Sequence, residues 1–256
     1  MIAAALALGL LVGGVLGLVG AGGSIIAVPA LVYGVGMSTH EAIPSALLVV
    51  GVSSIAAVIP RIRTGISWRI ALLVGAAGIP AAWAGAAVGR LFNENVLLLA
   101  FAAIMIAAGI RMLSHTKETP SRNDLGKNNY LRNYLLKSLA VGLGIGFLTG
   151  LLGVGGGFLI VPALTIFLGL SMAQAVGTSL IIIVINSAAG FSAHATGFSP
   201  DWTPTLALAI TAIIGSLAAG RVAHKLNNKY VRIAFASLVF TVAAIVVIST
   251  TIGIVN

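Results

Sequence analysis

Two stretches of this chain are nearly the same: GLVGAGGSIIAVPAL at Gly17–Leu31 and GLLGVGGGFLIVPAL at Gly150–Leu164. Each interrupts an apolar run with a cluster of glycines and continues into a short apolar segment that contains one proline. Position 17 aligns with position 150, a shift of 133 residues that places four glycines and the proline in register. Chance similarity between apolar segments would match leucine, alanine and valine instead. The chain therefore contains an internal duplication.

The composition indicates that the chain folds in a lipid bilayer rather than in water. Hydrophobic residues make up 59 % of it, charged residues 7 %, and the mean hydropathy is +1.13. Soluble domains are about 45–50 % apolar and about 25 % charged. Several segments reach the roughly 17–25 apolar residues that cross a bilayer as a helix, and none shows the alternating ten-residue pattern of a barrel strand. We predict an all-α polytopic membrane protein.

The charge is positive but scattered. The net charge is +9, and the basic residues lie in short loops rather than along one face, which argues against a nucleic-acid partner. They are better interpreted as topology signals. The chain has no cysteine, which excludes disulfides, thiol catalysis and thiolate metal sites. We assign no metal, cofactor or catalytic residue.

The chain divides into two transmembrane repeats, residues 1–113 and 135–256, joined by a polar linker at 114–134. In each half, the glycine-bearing region is followed by three long apolar segments. The predicted segments are Glu41–Pro60, Trp68–Leu91 and Val96–Leu113 in the first half, and Met172–His194, Trp202–His224 and Val231–Ile252 in the second.

The basic loops predict the topology. Lysine and arginine concentrate in the loop near Arg63, in the linker and in the turn near Lys225, which we place in the cytoplasm. Threading the long segments through these loops makes each glycine-bearing region begin and end on one side of the membrane, and the side differs between halves. The repeats are therefore predicted to be inverted, each a helical hairpin plus three crossings, with both termini outside.

The hairpins have a physical explanation. As a helix, Ser24–Gly36 would span only about 20 Å, too short for a hydrocarbon core of about 30 Å. Glycine permits the reversal because it accepts positive φ and close packing. Non-helical backbone at membrane depth must be buried in protein or line a watery cavity. Two such turns meeting near the midplane are typical of a secondary transporter's binding site.

The predicted ligand is a small anion. Each turn precedes a helix N-terminus, whose N–H groups and dipole favour negative charge. All five acidic residues fall in loops or at segment ends, so no intramembrane carboxylate is available for a cation or a proton relay.

These motifs carry a family resemblance. The paired GxGGxxxxxPAL turns, AIPSAL and AVGTSL downstream, and the loops TGISW and TGFSPDW resemble the TauE/SafE sulfite exporter family, also called the toluene-sulfonate uptake permeases. The resemblance implies a multi-pass carrier in a bacterial or archaeal inner membrane for sulfite, sulfonates such as sulfoacetate, or related small anions. The family's Gly-Thr-Ser is intact at Gly177–Ser179, whereas the first half has Pro44, Ser45 and Ala46.

The turns and the polar residues near them are the candidate substrate-binding residues. They are Gly20, Gly22, Gly23, Ser24, Ser45, Gly153, Gly155, Gly156, Gly157, Thr178, Ser179 and Asn186. For Ser45 the alternative is a hydrogen bond to its own helix, and for Asn186 it is interhelical packing. Arg61 and His194 occupy equivalent segment ends, where a snorkelling residue is the default and a gate or anion attraction is the alternative.

Two other functional classes share some of these features. An anion channel would use the same turns but show flux without saturation or counterflow. An intramembrane serine enzyme would need a nucleophile and a base, and the rhomboid-like GxSG signature is absent from the sequence. We therefore predict a protein that is not an enzyme, whose partners are a small anion and the lipid bilayer.

Overall fold

The computed structural model describes residues 2–89, 91–92, 94–114, 127–152, 157–194, 202–223 and 228–252. Within these ranges the chain is helical and contains no strand, so the all-α prediction is confirmed. Five helices in the described part are long and apolar enough to cross a membrane: Glu41–Ile62, Trp68–Gly89, Met172–Ser192, Trp202–Ala223 and Lys229–Ile248. The protein is thus a multi-pass helical membrane protein.

The elements follow the order expected from the sequence. In the first half they are α1 (Ile2–Val19), α2 (Gly23–Pro29), a π-helical segment (Ala30–Val35), α3 (Thr39–Val58), a 3₁₀ helix (Ile59–Thr64), α4 (Trp68–Gly89) and α5 (Glu94–Ser114). In the second half they are α6 (Lys127–Leu152), α7 (Gly157–Ile166), α8 (Met172–His194), α9 (Trp202–Ala223) and α10 (Asn228–Ile252). Helix α6 begins inside the stretch predicted as linker, and the apolar part of α5 is limited to Leu99–Ser114.

The first half begins with a helical hairpin. Gly20 and Gly22 have φ of 68° and 91°, a left-handed conformation that glycine adopts without a steric penalty. After this turn the chain folds back on α1. A Cβ at Gly23 would lie 3.1 Å from Leu16 Cβ, which shows how closely the two segments pack. The left-handed residues lie in the turn itself, and Gly23 already belongs to α2.

The short helical segments of both halves end in the same way. Gly36 follows the π-helical segment with φ 83°, and Gly169 follows α7 with φ 65°. The N–H of the residue after each glycine donates to a carbonyl six residues earlier, at 3.0 Å in the first half and 3.1 Å in the second. The duplicated sequence therefore forms the same helix end twice.

The next helix of each half also starts in the same way. Ser38 Oγ accepts a bond from the Glu41 N–H, and Ser171 Oγ accepts one from the Gln174 N–H, both at 3.4 Å. Ser38 Oγ in turn donates to Glu41 Oε2 at 2.8 Å. A serine followed by Glu or Gln three residues later is the capping-box pattern. It fixes where α3 and α8 begin.

Glycine rows let the helices α1 and α9 approach closely. A Cβ at Gly9 would lie 2.5 Å from the Leu208 carbonyl oxygen, and one at Gly17 would lie 2.9 Å from Ser216 Cα. Backbones this close require glycine, as in other membrane helix interfaces. Because the contacts advance in the same sense along both helices, α1 and α9 run parallel.

Helices α4 and α6 repeat this interface. A Cβ at Gly142 would lie 2.7 Å from the Val74 carbonyl oxygen, and one at Gly150 would lie 2.8 Å from Ala82 Cα. Again the contacts advance together, so α4 and α6 are parallel. The glycines of α6 stand 133 positions after those of α1.

The centre of the molecule is the crossing of α3 and α8. Gly51 lies opposite Ser187, and Leu47 lies opposite Gly190, so these two helices run antiparallel. Helix α9 also packs on α3, and helix α4 also packs on α8. The buried core extends through this group and places the first glycine turn against α8.

Candidate functional site

Helix α1 ends inside the protein, where its last carbonyl groups need donors. The Gly20 N–H donates to the Leu16 carbonyl at 2.8 Å. The Arg61 guanidinium, reaching over from the 3₁₀ helix, donates through Nη2 to the carbonyl oxygens of Gly17 and Leu18, the latter at 3.3 Å. Arg61 is only 5 % exposed, so its cation lies at the negative end of the α1 dipole.

Helix α8 supplies the next donor. Ser179 Oγ donates to the Gly20 carbonyl at 2.6 Å and shares that hydrogen with the carbonyl of Val176 in its own helix, at 2.8 Å. A Cβ at Gly20 would overlap the Val176 side chain and lie 2.9 Å from its carbonyl oxygen. The turn between α1 and α2 is therefore seated directly on α8.

Thr178 lies beside this contact and is fully buried. Its Oγ1 accepts a hydrogen bond from the Ser67 N–H at 3.2 Å. Gly177 leaves room for that loop, since a Cβ there would lie 3.1 Å from an Ile66 side-chain carbon. Within the described residues, the Thr178 hydroxyl proton has no acceptor. We call Gly20, Arg61, Ser67, Thr178 and Ser179 the first-turn cluster.

The structure brings together four residues that the sequence singled out: Gly20, Arg61, Thr178 and Ser179. It adds Ser67, which acts through its backbone N–H. No sequence pattern marks a backbone donor of this kind. The TGISW motif, which contains Ser67, was the only signal that pointed to this loop.

Gly22, Gly23 and Ser24 continue the first turn into α2, whereas Ser45 lies away from this cluster. Gly22 faces α10, because a Cβ there would lie 2.8 Å from Leu238 Cδ2. Gly23 and Ser24 open α2, and the Ser24 side chain falls outside the described part. Ser45 accepts a hydrogen bond from Thr205 Oγ1 of α9 at 3.4 Å.

The second-half candidates are described only in part. Gly153, Gly155 and Gly156 lie outside the described residues, and Gly157 is buried at the start of α7. His194 is the last residue of α8, and its side chain is likewise outside the described part.

Asn186 lies farther along α8, eight residues or about 12 Å beyond Thr178. Its Oδ1 is buried and has no hydrogen-bond partner among the described residues. A Cβ at Gly78 of α4 would lie 3.8 Å from that oxygen. The structure thus separates Asn186 from the first-turn cluster. Ser54 Oγ, which is not among the candidate residues, is likewise buried without a hydrogen-bond partner in the described part.

The described side chains offer no arrangement for a metal ion: no group of three or more histidine, aspartate or glutamate residues comes together in the described ranges. The acidic residue nearest the start of α3, Glu41, is engaged with the Ser38 hydroxyl. The polar groups at the first turn are hydroxyls, backbone groups and one guanidinium, and the cluster as defined contains no carboxylate.

Long apolar helices, a broken first helix and a polar cluster at the break together define a multi-pass membrane protein of the transporter class. Residues 5–246 match the model of the family described as Sulfite exporter TauE/SafE. The chain belongs to this family.

Curated relatives agree with this class. A probable membrane transporter protein of Xylella fastidiosa (strain 9a5c) is 32 % identical over 222 residues, covering 86 % of this chain and 82 % of the relative. The probable membrane transporter protein YunE of Bacillus subtilis (strain 168) is 30 % identical over 246 residues, covering 87 % and 88 %. No solved structure matches the chain.

Proposed function

We propose that this protein is a secondary transporter that moves small sulfur-containing anions, such as sulfite, sulfoacetate or other sulfonates, across the cell inner membrane. Its two repeats, 1–113 and 135–256, would have inverted topology around a cytoplasmic linker at 114–134. The family supports the transporter class, and the resemblance of the motifs supports the sulfur anions.

The helix directions support the inversion. The α1–α9 and α4–α6 interfaces use glycines 133 positions apart, and each pairs the first helix of one half with the fourth helix of the other. Helices α3 and α8, which are equivalent in the duplication, run antiparallel. A two-fold axis in the membrane plane would relate equivalent helices in this way.

The observation that carries the proposed binding site is the buried Thr178 hydroxyl. Thr178 precedes Ser179, which bonds to the first glycine turn, and the Thr178 hydroxyl proton has no acceptor in the described part of the protein. A buried donor without an acceptor is costly, and an oxyanion would satisfy it. In the proposed site, Thr178 and the backbone N–H groups of Gly22, Gly23 and Ser24 bind the anion from the first-half side.

The remaining candidates would bind the anion elsewhere along its path. The equivalent glycines Gly153, Gly155, Gly156 and Gly157 would contribute backbone groups. Asn186 and Ser45 would meet the anion along its path rather than at the first turn. His194 would stand where the path leaves the membrane.

A ligand screen tests this proposal. Purified protein is heated in detergent with sulfite, sulfate, sulfoacetate, taurine or small carboxylates, and binding of sulfite or of a sulfonate should raise the apparent Tm. Thr178→Ala should weaken binding by roughly 0.5–3 kcal/mol. Thr211→Ala is the matched control, because Thr211 is a buried threonine whose hydroxyl donates to Ala207 O of its own helix at 2.9 Å.

The screen and a flux assay have separate decisive outcomes. Stabilisation only by cations, or by none of the anions, would contradict the substrate class. An equal loss of binding in Thr211→Ala would contradict the role of Thr178. In proteoliposomes, counterflow of the bound anion is expected, whereas flux without saturation would identify a channel.

The proposed topology is tested independently. Since the chain has no cysteine, a single Asn128→Cys substitution in the linker region labels without background. We expect no reaction with an impermeant thiol reagent in intact cells and rapid reaction after lysis. Labelling in intact cells would place the linker outside and refute the proposed orientation.

A further inference from the structure

The end of α1 is unusual because other segments provide donors to its carbonyls. The carbonyls of Gly17 and Leu18 accept from Arg61, and the Gly20 carbonyl accepts from Ser179, whereas Leu16 accepts the Gly20 N–H of its own helix end. Arg61 is 44 positions from Gly17, and Ser179 is 159 positions from Gly20. Inside a membrane protein, water cannot readily replace these donors.

We propose that Arg61 and Ser179 form a clamp that holds the first glycine turn against α8, and that both are positioning residues rather than anion contacts. Arg61 Nη2 donates to backbone carbonyls of α1, and Ser179 Oγ donates to the carbonyl of Gly20 in the turn. Arg61 fixes the end of the helix from the α3–α4 connection, and Ser179 fixes the turn from α8. The inference rests on the proposed function in one respect: the clamped turn is the proposed anion site.

The clamp is not part of the sequence duplication. At a shift of 133 residues, the counterpart of Arg61 is His194 and the counterpart of Ser179 is Ala46. Alanine has no side-chain donor, and histidine lacks the fork of guanidinium N–H groups that can reach two carbonyls. The glycine rows, by contrast, are duplicated. The duplication thus does not repeat this pair of side chains.

A thiol reporter in the turn tests the clamp without any ligand. Ala21 lies between Gly20 and Gly22 and is fully buried, so Ala21→Cys should react slowly with a maleimide in purified, detergent-solubilised protein. Adding Ser179→Ala should speed labelling about three- to tenfold. Opening of the turn then costs less free energy, because the Ser179 hydrogen bond no longer has to be broken.

Ser216→Ala is the matched control. Ser216 is also a fully buried serine that donates between helices, to the Ser53 carbonyl at 3.1 Å, and to its own helix at 2.9 Å. Its backbone packs against Gly17, but its hydroxyl bonds to α3 and not to the turn or to Arg61. Its loss should leave the Ala21→Cys labelling rate unchanged, although it removes the same kind of bond.

Arg61 is tested with two variants that retain a polar side chain. Arg61→His introduces the residue of the equivalent position, and Arg61→Lys keeps the charge without the fork. Both should speed labelling of Ala21→Cys, Arg61→His more than Arg61→Lys. Size-exclusion profiles and helical circular dichroism establish that each variant is folded before its rate is compared.

The outcomes separate the clamp from the proposed function. An unchanged rate in Ser179→Ala, or an equal increase in Ser216→Ala, overturns the clamp. Where the wild type binds sulfite and sulfoacetate, Ser179→Ala should weaken both by the same factor, since it lowers the population of the competent turn. A changed ratio between them would make Ser179 a direct contact. If no anion binds, the proposed function fails and the labelling rates still decide the clamp.

Discussion

Replacing Gly20 by alanine should be among the most damaging single-methyl additions in this protein. Gly20 has φ 68°, and a left-handed conformation costs an L-residue about 1–2 kcal/mol. Its new Cβ would also lie 2.9 Å from the Val176 carbonyl oxygen and 3.0 Å from Val176 Cα. Backbone cannot rotate away as a side chain can, so overpacking adds about 1–3 kcal/mol. The expected total is about 2–5 kcal/mol.

Gly36→Ala separates the two contributions. Gly36 is also left-handed, with φ 83°, but no heavy atom lies within 4 Å of the position its Cβ would take. Gly36→Ala should therefore lower the free energy of unfolding only by the conformational cost, about 1–2 kcal/mol. The difference between the variants measures how tightly the turn is seated on α8.

The assay is thermal unfolding of both purified variants in the same detergent. At about 2–4 °C per kcal/mol for a chain of 150–250 residues, Gly20→Ala should have an apparent Tm several degrees below that of Gly36→Ala. It should also lose anion binding, which Gly36→Ala should retain. Equal Tm values for the two variants would refute the argument, because the contact with α8 would then contribute nothing.

Three further outcomes follow from the packing. Gly13→Ala should destabilise the protein by about 1–3 kcal/mol, since its Cβ would lie 2.6 Å from a backbone Cα of α9. Gly14→Ala should not, since no heavy atom lies within 4 Å of its Cβ position, and equal apparent Tm values for the two variants would contradict this reasoning. Glu41→Gln should preserve both Tm and transport, because the equivalent helix start uses Gln174; loss of gradient-driven transport in a folded protein would instead assign a proton to that carboxylate. Asn186→Leu should leave Tm unchanged or raised, as it removes a buried oxygen without a partner in the described part, and a marked fall in Tm would identify an interhelical contact.

The sequence by itself determined the duplication, the order of the helices and the places where they break, although α6 begins within the predicted linker. Glycine clusters and short segments mark breaks because only glycine accepts the backbone angles and close approaches found there. The bounds predicted for α8, Met172–His194, are those observed. The repeated caps at Gly36 and Gly169 also follow from the duplicated sequence, since they depend on residues a few positions apart.

Only the tertiary structure decided which polar residues meet. The bonds from Arg61 to Gly17 and from Ser179 to Gly20 join residues 44 and 159 positions apart. In a soluble helix the apolar stripe marks the buried face, but in a bilayer the lipid-facing side is apolar too. The faces of these helices are therefore not distinguishable from periodicity. Which side of α8 meets the turn depends on packing between the two halves, and no local pattern encodes it.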